Sequence, residues 1–307
     1  PVKMDSVKRI LVTGPNGNAV NPMIGRYGPS NLNVLTVYEG VKALVGDKAV
    51  VEYATGCDYF DSNWPENEII DKPIGAKQQK MINKAVAAAE NADLIVVAVG
   101  DSEGTVGESK SRTSLNLPGN QDDLVKALYK TGKPIVAVLI NGRPASINWI
   151  NRYIPAIIEA WFPGEYAGQA IAEAIFGLYN PGGKLPTTFV KTAGQIPYNF
   201  PFKRSSQLDQ SMKFTGEGSN TTLINDPLYP FGFGLSYTTF AYSDFAMTPT
   251  AAADANVKVS FKIKNTGQYK GDEVAQLYMN DVTSSVVTYE KRLINFERVT
   301  LEPGETK

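Results

Sequence analysis

Short apolar runs alternate with longer amphipathic stretches along residues 1–179. The apolar runs predict strands at Lys8–Thr13, Ala49–Tyr53, Asp93–Val99, Pro134–Ile140 and Ile154–Ala160. Apolar residues that recur every three or four positions predict helices between them, at Thr36–Val45, at Ile74–Ala92, from Asn120 to near Gly132, and at Glu165–Phe176. Strands that alternate with helices are typical of a doubly wound, mostly parallel sheet. The pattern therefore predicts an α/β sandwich domain over residues 1–179.

Local signals mark where some of these elements begin. Thr36 and Glu39 have the spacing of a capping box, in which each side chain bonds a backbone N–H group at the start of a helix. Asn120 is predicted to cap the helix that follows it. The run Pro134–Ile140 is apolar throughout, which predicts a parallel strand that is covered on both faces.

The pattern changes after residue 179. Residues 180–239 are rich in Pro, Gly, Asn and Ser, and they predict a long connector with one strand at Pro186–Val190. From Phe240 onward the apolar period is two, most clearly over residues 257–263. This period predicts a small antiparallel β-sandwich over residues 240–307.

Turn signals complete this second region. Asn265–Gly267 predicts a turn between strands, and further strands are expected at Ala275–Met279 and Asn295–Leu301. The chain begins without methionine and ends on the turn signal Glu302–Lys307. We therefore expect a fragment of a longer protein, with a sandwich that lacks its last strands.

Composition excludes several classes of function. The net charge of −1 gives no electrostatic reason to expect nucleic acid or an anionic membrane surface as a partner. No apolar run approaches the roughly 20 residues that span a bilayer. The chain has no histidine and one cysteine, Cys57, which excludes Ser-His-Asp and Cys-His catalysis, an intrachain disulfide and a thiolate metal cage. Proton transfer must fall to Asp, Glu, Lys, Tyr or Cys.

Two loops that follow predicted strands are candidates for chemistry. Gly14–Ala19 is glycine-rich, but it lacks the GxGxxG pattern and contains Pro15, so a nucleotide site is disfavoured. The longer loop within Val99–Gly119 carries Glu103, Glu108, Lys110 and Arg112. Loops at the ends of parallel strands usually hold the functional residues of α/β proteins. We therefore expect the chemistry of this chain in the longer loop.

Several stretches, taken in order along the chain, resemble the C-terminal half of glycoside hydrolase family 3, the β-glucosidases and β-xylosidases. They are Gly107–Gly119 (GESKSRTSLNLPG), Leu139–Pro144 (LINGRP), Ile158–Gly164 (IEAWFPG), Tyr179–Leu185 (YNPGGKL), Tyr229–Phe240 (YPFGFGLSYTTF) and Gly271–Tyr278 (GDEVAQLY). The resemblance implies a TIM barrel that precedes this chain, an (α/β)6 sandwich, and a fibronectin type III-like domain. It also implies a periplasmic or secreted location, and neither a cofactor nor a metal.

The resemblance implies a retaining, exo-acting enzyme that releases terminal β-D-glucosyl or β-D-xylosyl residues from a β-linked oligosaccharide or glycoside. An aspartate of the barrel, outside this chain, would be the nucleophile. Glu108, in the pattern GE-x-K-S-R, would be the general acid/base, with Glu103 as its rival. The alternative for Glu108 is an exposed loop glutamate that pairs with Lys110 or Arg112.

The remaining candidates support this site. Arg112 is expected to order the loop through a salt bridge. Arg26, Tyr27 and Ser30 follow the first strand, where relatives bring residues near the substrate, and they are predicted to bind it; their alternative role is loop structure. We expect the chain to be inactive without its barrel. The alternative function is a non-catalytic carbohydrate-binding or scaffold module.

Overall fold

The structure, a computed structural model, describes residues 1–29, 33–70, 72–203, 226–249, 252 and 255–307. The chain divides into two compact units, each with its own core. The first unit comprises Pro1–Gly177, Phe189–Tyr198 and Asp226–Tyr229, and the second comprises Leu178–Thr188, Asn199–Asn225 and Pro230–Lys307.

A five-stranded parallel sheet forms the centre of the first unit. Its strands are β1 (Arg9–Thr13), β2 (Val50–Ala54), β3 (Leu94–Gly100), β4 (Ile135–Ile140) and β5 (Ala156–Glu159), in the spatial order β2-β1-β3-β4-β5. Every strand pair is parallel. The predicted doubly wound α/β fold and the positions of its strands are thus confirmed.

Helices cover both faces of this sheet. They are α1 (Asn21–Ile24), α2 (Val37–Val45), α3 (Ala76–Ala89), α4 (Gln121–Tyr129), α5 (Asn148–Tyr153) and α6 (Ala167–Phe176). Alternate residues of β3 enter two separate cores, with Val97 facing α3 and α4, and Val96 facing α2 and α6. Both β3 and β4 are buried along their whole length, as expected for strands that are covered on both faces.

Of the two helix caps predicted from the sequence, one is present as expected and one is not. The capping box of α2 is confirmed, because the Thr36 hydroxyl accepts from the Glu39 N–H group (3.2 Å) and the Glu39 carboxylate accepts from the Thr36 N–H group (2.9 Å). The predicted cap of α4 is wrong in its chemistry. Asn120 occupies the N-cap position, but its side-chain amide donates to the Asp123 carboxylate (2.9 Å) instead of accepting from a backbone N–H group.

In the part of the second unit that the structure describes, there are two antiparallel strand pairs. β6 (Phe240–Met247) pairs with β7 (Val259–Asn265), and β8 (Gly271–Met279) pairs with β9 (Arg292–Leu301). Ile263, Ala275 and Leu301 are the buried centre of this unit. The predicted antiparallel fold is therefore confirmed.

After residue 179, one local prediction is confirmed and one is wrong. The predicted turn after β7 is present, because the buried Asn265 side chain accepts from the Gly267 N–H group (3.1 Å). The predicted strand at Pro186–Val190 is wrong, because only Phe189 pairs there, through a single bridge to Tyr229 within the first unit.

The order of strands places a crevice at one edge of the sheet. The chain leaves β1 for β2 on one side, through α2, and leaves β3 for β4 on the other side, through α4. Because β1 and β3 are neighbours, the loops at their carboxyl ends begin side by side and then run to opposite sides, which leaves a crevice between them. Ligands of open α/β sheets bind at such a switch point. The two candidate loops therefore meet where this fold usually places its site.

Candidate active site

Buried charges anchor the base of the loop after β3. Asp101 is 3% exposed, and its carboxylate accepts from the Thr105 hydroxyl (2.8 Å) and the Gly142 N–H group (3.3 Å). The Arg112 guanidinium lies between this carboxylate (3.3 Å) and that of Glu68 (3.1 Å). Arg112 thus binds the start of its own loop, through Asp101, and a neighbouring loop, through Glu68.

Glu68 shows the electrostatic effect of this arrangement. Burial alone would raise its pKa, but hydrogen bonds from Thr113 and Trp64 and the nearby charge of Arg112 lower that pKa below its ordinary value. Glu68 is therefore an ionised partner of Arg112 at neutral pH. Sequence reasoning missed Glu68 because it lies in a separate loop, between β2 and α3.

Glu108 lies at a tight turn in the middle of the loop. The turn is closed by a hydrogen bond from the Lys110 N–H group to the Gly107 carbonyl (3.1 Å), which leaves Glu108 and Ser109 as its central residues. Gly107 has φ +111° and Ser109 has φ +61°, so Glu108 is flanked by two residues in the left-handed region. Such a backbone is unusual for serine and needs support from outside the turn.

That support comes from the loop after β1. Arg26 donates from Nη1 to the Glu108 carbonyl (2.6 Å), and the Glu108 N–H group donates to the Tyr27 hydroxyl (2.5 Å). Arg26 and Tyr27, which were predicted to bind substrate, thus lie beside Glu108, although the polar contacts shown are to its main chain. Ser30, the third residue of that prediction, lies outside the described residues.

The carboxylate of Glu108 differs from its main chain. Glu108 is exposed. Among the residues that the structure describes, its carboxylate makes no hydrogen bond or ion pair; in particular, Lys110 and Arg112 are not its partners. The result is a glutamate with a fixed backbone and a carboxylate that is available to a ligand.

Glu103, the rival candidate, lies nearer to β3 along the chain in the same loop. Its carboxylate accepts from the Asn21 side-chain amide (3.3 Å). Glu103 also lines a pocket of about 460 Å³ together with Arg26 and Lys110, whereas Glu108 is not among the lining residues. Glu103 therefore borders this pocket with a partnered carboxylate, whereas the Glu108 carboxylate lies outside the lining and has no partner among the described residues.

Glu159, at the carboxyl end of the sheet, was not among the residues predicted from the sequence. Glu159 ends β5, where it accepts from the Trp161 N–H group (3.0 Å) and from the Asn141 side-chain amide (3.5 Å). Burial and the nearby Asp101 charge raise the pKa of Glu159 to about 8, against the effect of these two hydrogen bonds. Its position at the end of an apolar strand was the available sequence signal. The surroundings of Glu159 therefore favour its protonated form.

Three further features of the described chain bear on function: its thiol, possible metal ligands and helix length. Cys57 is fully buried, and this burial raises the pKa of its thiol. No three Cys, Asp or Glu side chains converge into a metal-binding group within the described ranges. Over the same part of the chain, no helix has the length and apolarity needed to cross a membrane.

Fold and site together define a class of protein: a parallel α/β domain that offers an exposed glutamate at its switch point, followed by an antiparallel β unit. The Glycosyl hydrolase family 3 C-terminal domain matches residues 1–237, and the Fibronectin type III-like domain matches residues 273–307. The chain belongs to glycosyl hydrolase family 3.

Similar proteins are β-xylosidases and β-glucosidases. A β-xylosidase of Formosa agariphila is 41% identical over 316 residues, which cover 100% of this chain and 40% of that protein. A periplasmic β-glucosidase of Salmonella typhimurium is 40% identical over 315 residues, which cover 97% of this chain and 40% of that protein. The chain thus spans about two fifths of the length of the curated relatives it matches.

The chain is also similar to solved structures of β-glucosidases. A β-glucosidase of Erythrobacter marinus superposes with a TM-score of 0.85 at 35% identity, covering 100% of this chain and 41% of that one. A β-glucosidase of Listeria innocua in complex with isofagomine superposes with a TM-score of 0.83 at 29% identity, covering 100% and 40%.

Proposed function

We propose that this chain is the C-terminal part of a retaining, exo-acting β-glycosidase that releases terminal β-D-glucosyl or β-D-xylosyl residues. Glu108 acts as the general acid/base, and an aspartate of an N-terminal barrel acts as the nucleophile. One observation carries the proposal: Glu108 has a main chain held at both its N–H and C=O groups and a carboxylate with no partner among the described residues. A general acid/base must come within hydrogen-bond distance of the proton that it transfers, and an unpartnered carboxylate on a fixed main chain leaves that position open to a substrate.

The reaction has two steps. In the first, the barrel aspartate forms a bond to the anomeric carbon while the glycosidic bond breaks, and Glu108 gives its proton to the departing oxygen. In the second, the Glu108 carboxylate takes a proton from water as the water oxygen attacks the anomeric carbon and releases the aspartate. Retention of configuration requires the two carboxyl groups to lie about 5–5.5 Å apart.

Glu108 suits these roles better than Glu103. The Glu103 carboxylate is already bonded to Asn21, and it lies closer to the end of β3. Glu108 lies at the centre of a turn and is exposed, so that its carboxylate would be open to a neighbouring barrel. Glu103, which lines the pocket, would then contact the sugar or its leaving group.

The experiment compares Glu108→Gln with Glu103→Gln in the full-length protein. Glu108→Gln should slow hydrolysis of alkyl glycosides by a factor of about 10²–10⁴. It should slow glycosylation by dinitrophenyl glycosides far less, because their leaving group needs no proton. Azide should then restore turnover and give a β-glycosyl azide, since this nucleophile needs no base. If only Glu103→Gln behaves in this way, the acid/base is Glu103.

The contribution of the barrel is tested separately. We expect the purified chain to leave aryl β-glucosides and aryl β-xylosides intact, and the full-length protein to hydrolyse them. Activity of the chain alone would place the nucleophile within these residues. A full-length protein that binds these sugars without hydrolysing them would instead be a non-catalytic carbohydrate-binding module. We further propose a periplasmic or secreted location, which cell fractionation would check.

A further inference from the structure

We propose that Arg26 and Tyr27 are positioning residues, which fix the direction of the Glu108 side chain by clamping its main chain. The proposal rests on the assignment of Glu108 as the acid/base. The clamp consists of the two hydrogen bonds from the loop after β1, one to the carbonyl of Glu108 (2.6 Å) and one from its N–H group (2.5 Å). We name these two contacts the Glu108 clamp.

The geometry of the turn makes the clamp necessary. The hydrogen bond that closes the turn uses the Gly107 carbonyl and the Lys110 N–H group, so it leaves the N–H and C=O groups of Glu108 unused. Without other partners, the residue could rotate about its own φ and ψ angles. The clamp occupies both groups and thereby fixes the Cα–Cβ direction, along which the carboxyl group extends.

Gly107, the residue before Glu108, lies close to the same two partners. A Cβ atom placed on Gly107 would lie 2.9 Å from Arg26 Cδ and 3.4 Å from the Tyr27 hydroxyl oxygen, so the two loops pack closely at this point. Arg26 and Tyr27 are consecutive residues, and they approach Glu108 from a segment that precedes it by 82 and 81 positions. One movement of the loop after β1 would therefore release both bonds together.

The clamp has a distinct kinetic consequence. A general acid that is displaced by about 1 Å loses much of its effect, because proton transfer requires hydrogen-bond distance to the leaving oxygen. The loss falls only on substrates that need the proton. Weakening the clamp should therefore reduce the rate with poor leaving groups and spare good ones, whereas loss of a sugar contact would affect all leaving groups alike.

The test measures kcat/KM of full-length variants on aryl β-glycosides whose phenols span a wide range of acidity. Tyr27→Phe removes one hydroxyl and keeps the ring; it should lower kcat/KM about tenfold for the least acidic phenols and less than twofold for dinitrophenol. Arg26→Met should behave alike, and Arg26→Lys, which can still donate to the carbonyl, should recover part of the loss. The matched control is Tyr129→Phe, at the exposed C-terminal end of α4, which should leave all rates unchanged.

The outcomes separate the two proposals. If Glu108→Gln shows a loss that depends on the leaving group and Tyr27→Phe does not, the clamp is wrong and the acid/base assignment stands. An equal loss of Tyr27→Phe on every substrate would also overturn the clamp and make Tyr27 a sugar contact. If Glu108→Gln itself shows no dependence on the leaving group, Glu108 is not the acid/base, and the clamp falls with that assignment.

Discussion

The Arg112 guanidinium lies 3.3 Å from the Asp101 carboxylate, and this ion pair closes the base of the candidate loop. Both side chains are 4% exposed. Asp101 directly follows β3, while Arg112 lies beyond the turn that contains Glu108. The ion pair therefore holds the two ends of the segment between Asp101 and Arg112 together. The hydrogen bonds of Arg26 and Tyr27 fix the turn at Glu108, inside that segment.

Replacing Arg112 should destabilise the first unit. Arg112→Met leaves the carboxylates of Asp101 and Glu68 buried without their cation, which costs about 3–5 kcal/mol of the free energy of unfolding. Urea unfolding followed by circular dichroism measures this loss. In the control, Arg9→Met breaks the half-exposed pair between Arg9 and Glu52 and should cost less than about 1 kcal/mol. Similar losses in the two variants would contradict the anchoring role of Arg112.

The sequence was most informative where the signal was local. The apolar runs of β3 and β4 and the Thr36–Glu39 capping box depend on neighbouring residues, so they could be predicted with their bounds. The six-residue helix α5 was missed because it is too short to display a helical period.

The site was predictable only in part. The candidate loop could be located, because loops after parallel strands tend to hold functional residues. The contact of Arg26 with Glu108 could not be predicted, since it joins residues 82 positions apart through two irregular loops. Likewise, nothing in the sequence indicates that Ser109 adopts φ +61° or that Glu159 is held beside Asn141.

Glu159 should make stability depend on pH. Its pKa in the folded state is about 8, above the ordinary 4.5, so the stabilising contribution is fully present below about pH 4.5 and is lost as the pH rises through about 8. Compared with Glu159→Gln, the unmodified protein should lose up to about 1.4 kcal/mol of unfolding free energy per pH unit across this interval. Unfolding measured at several pH values checks this slope.

A control and a contrary result define the test of Glu159. Glu90 is an exposed glutamate at the end of α3, and Glu90→Gln should keep the pH dependence of the unmodified protein. If Glu159→Gln also keeps that dependence, Glu159 is ionised in the folded protein at neutral pH.

The thiol of Cys57 should resist alkylation in the folded protein. The side chain is fully buried, and burial raises the pKa of the thiol, so both access and the reactive thiolate are lacking. Mass spectrometry of the Cys57 peptide should show no iodoacetamide adduct before unfolding and full labelling in urea. Asn91→Cys, at an exposed position after α3, should be labelled at once. Rapid labelling of native Cys57 would show that the loop after β2 opens.

A methyl group at Gly107 should impair catalysis as well as stability. Gly107 has φ +111°, and the added Cβ atom would lie 2.9 Å from Arg26 Cδ, so Gly107→Ala should displace the side chain that holds the Glu108 carbonyl. Gly132→Ala is the matched control, because Gly132 has φ +70° and no atom within 4 Å of the added group. Gly132→Ala should lose about 1–2 kcal/mol of stability from its left-handed backbone. Gly107→Ala should lose more, because φ +111° lies outside the part of the left-handed region that residues with a Cβ atom adopt.

Only Gly107→Ala should also lower kcat/KM, by about tenfold for glycosides with poor leaving groups, as expected when a general acid is slightly misplaced. Calorimetry and steady-state kinetics on the full-length variants separate the two effects. Equal activity of the two variants would show that close packing between Gly107 and Arg26 does not control the direction of Glu108. A loss of activity confined to Gly107→Ala would link the shape of the turn to proton transfer, because Gly132→Ala also strains a positive-φ backbone but does not touch the site.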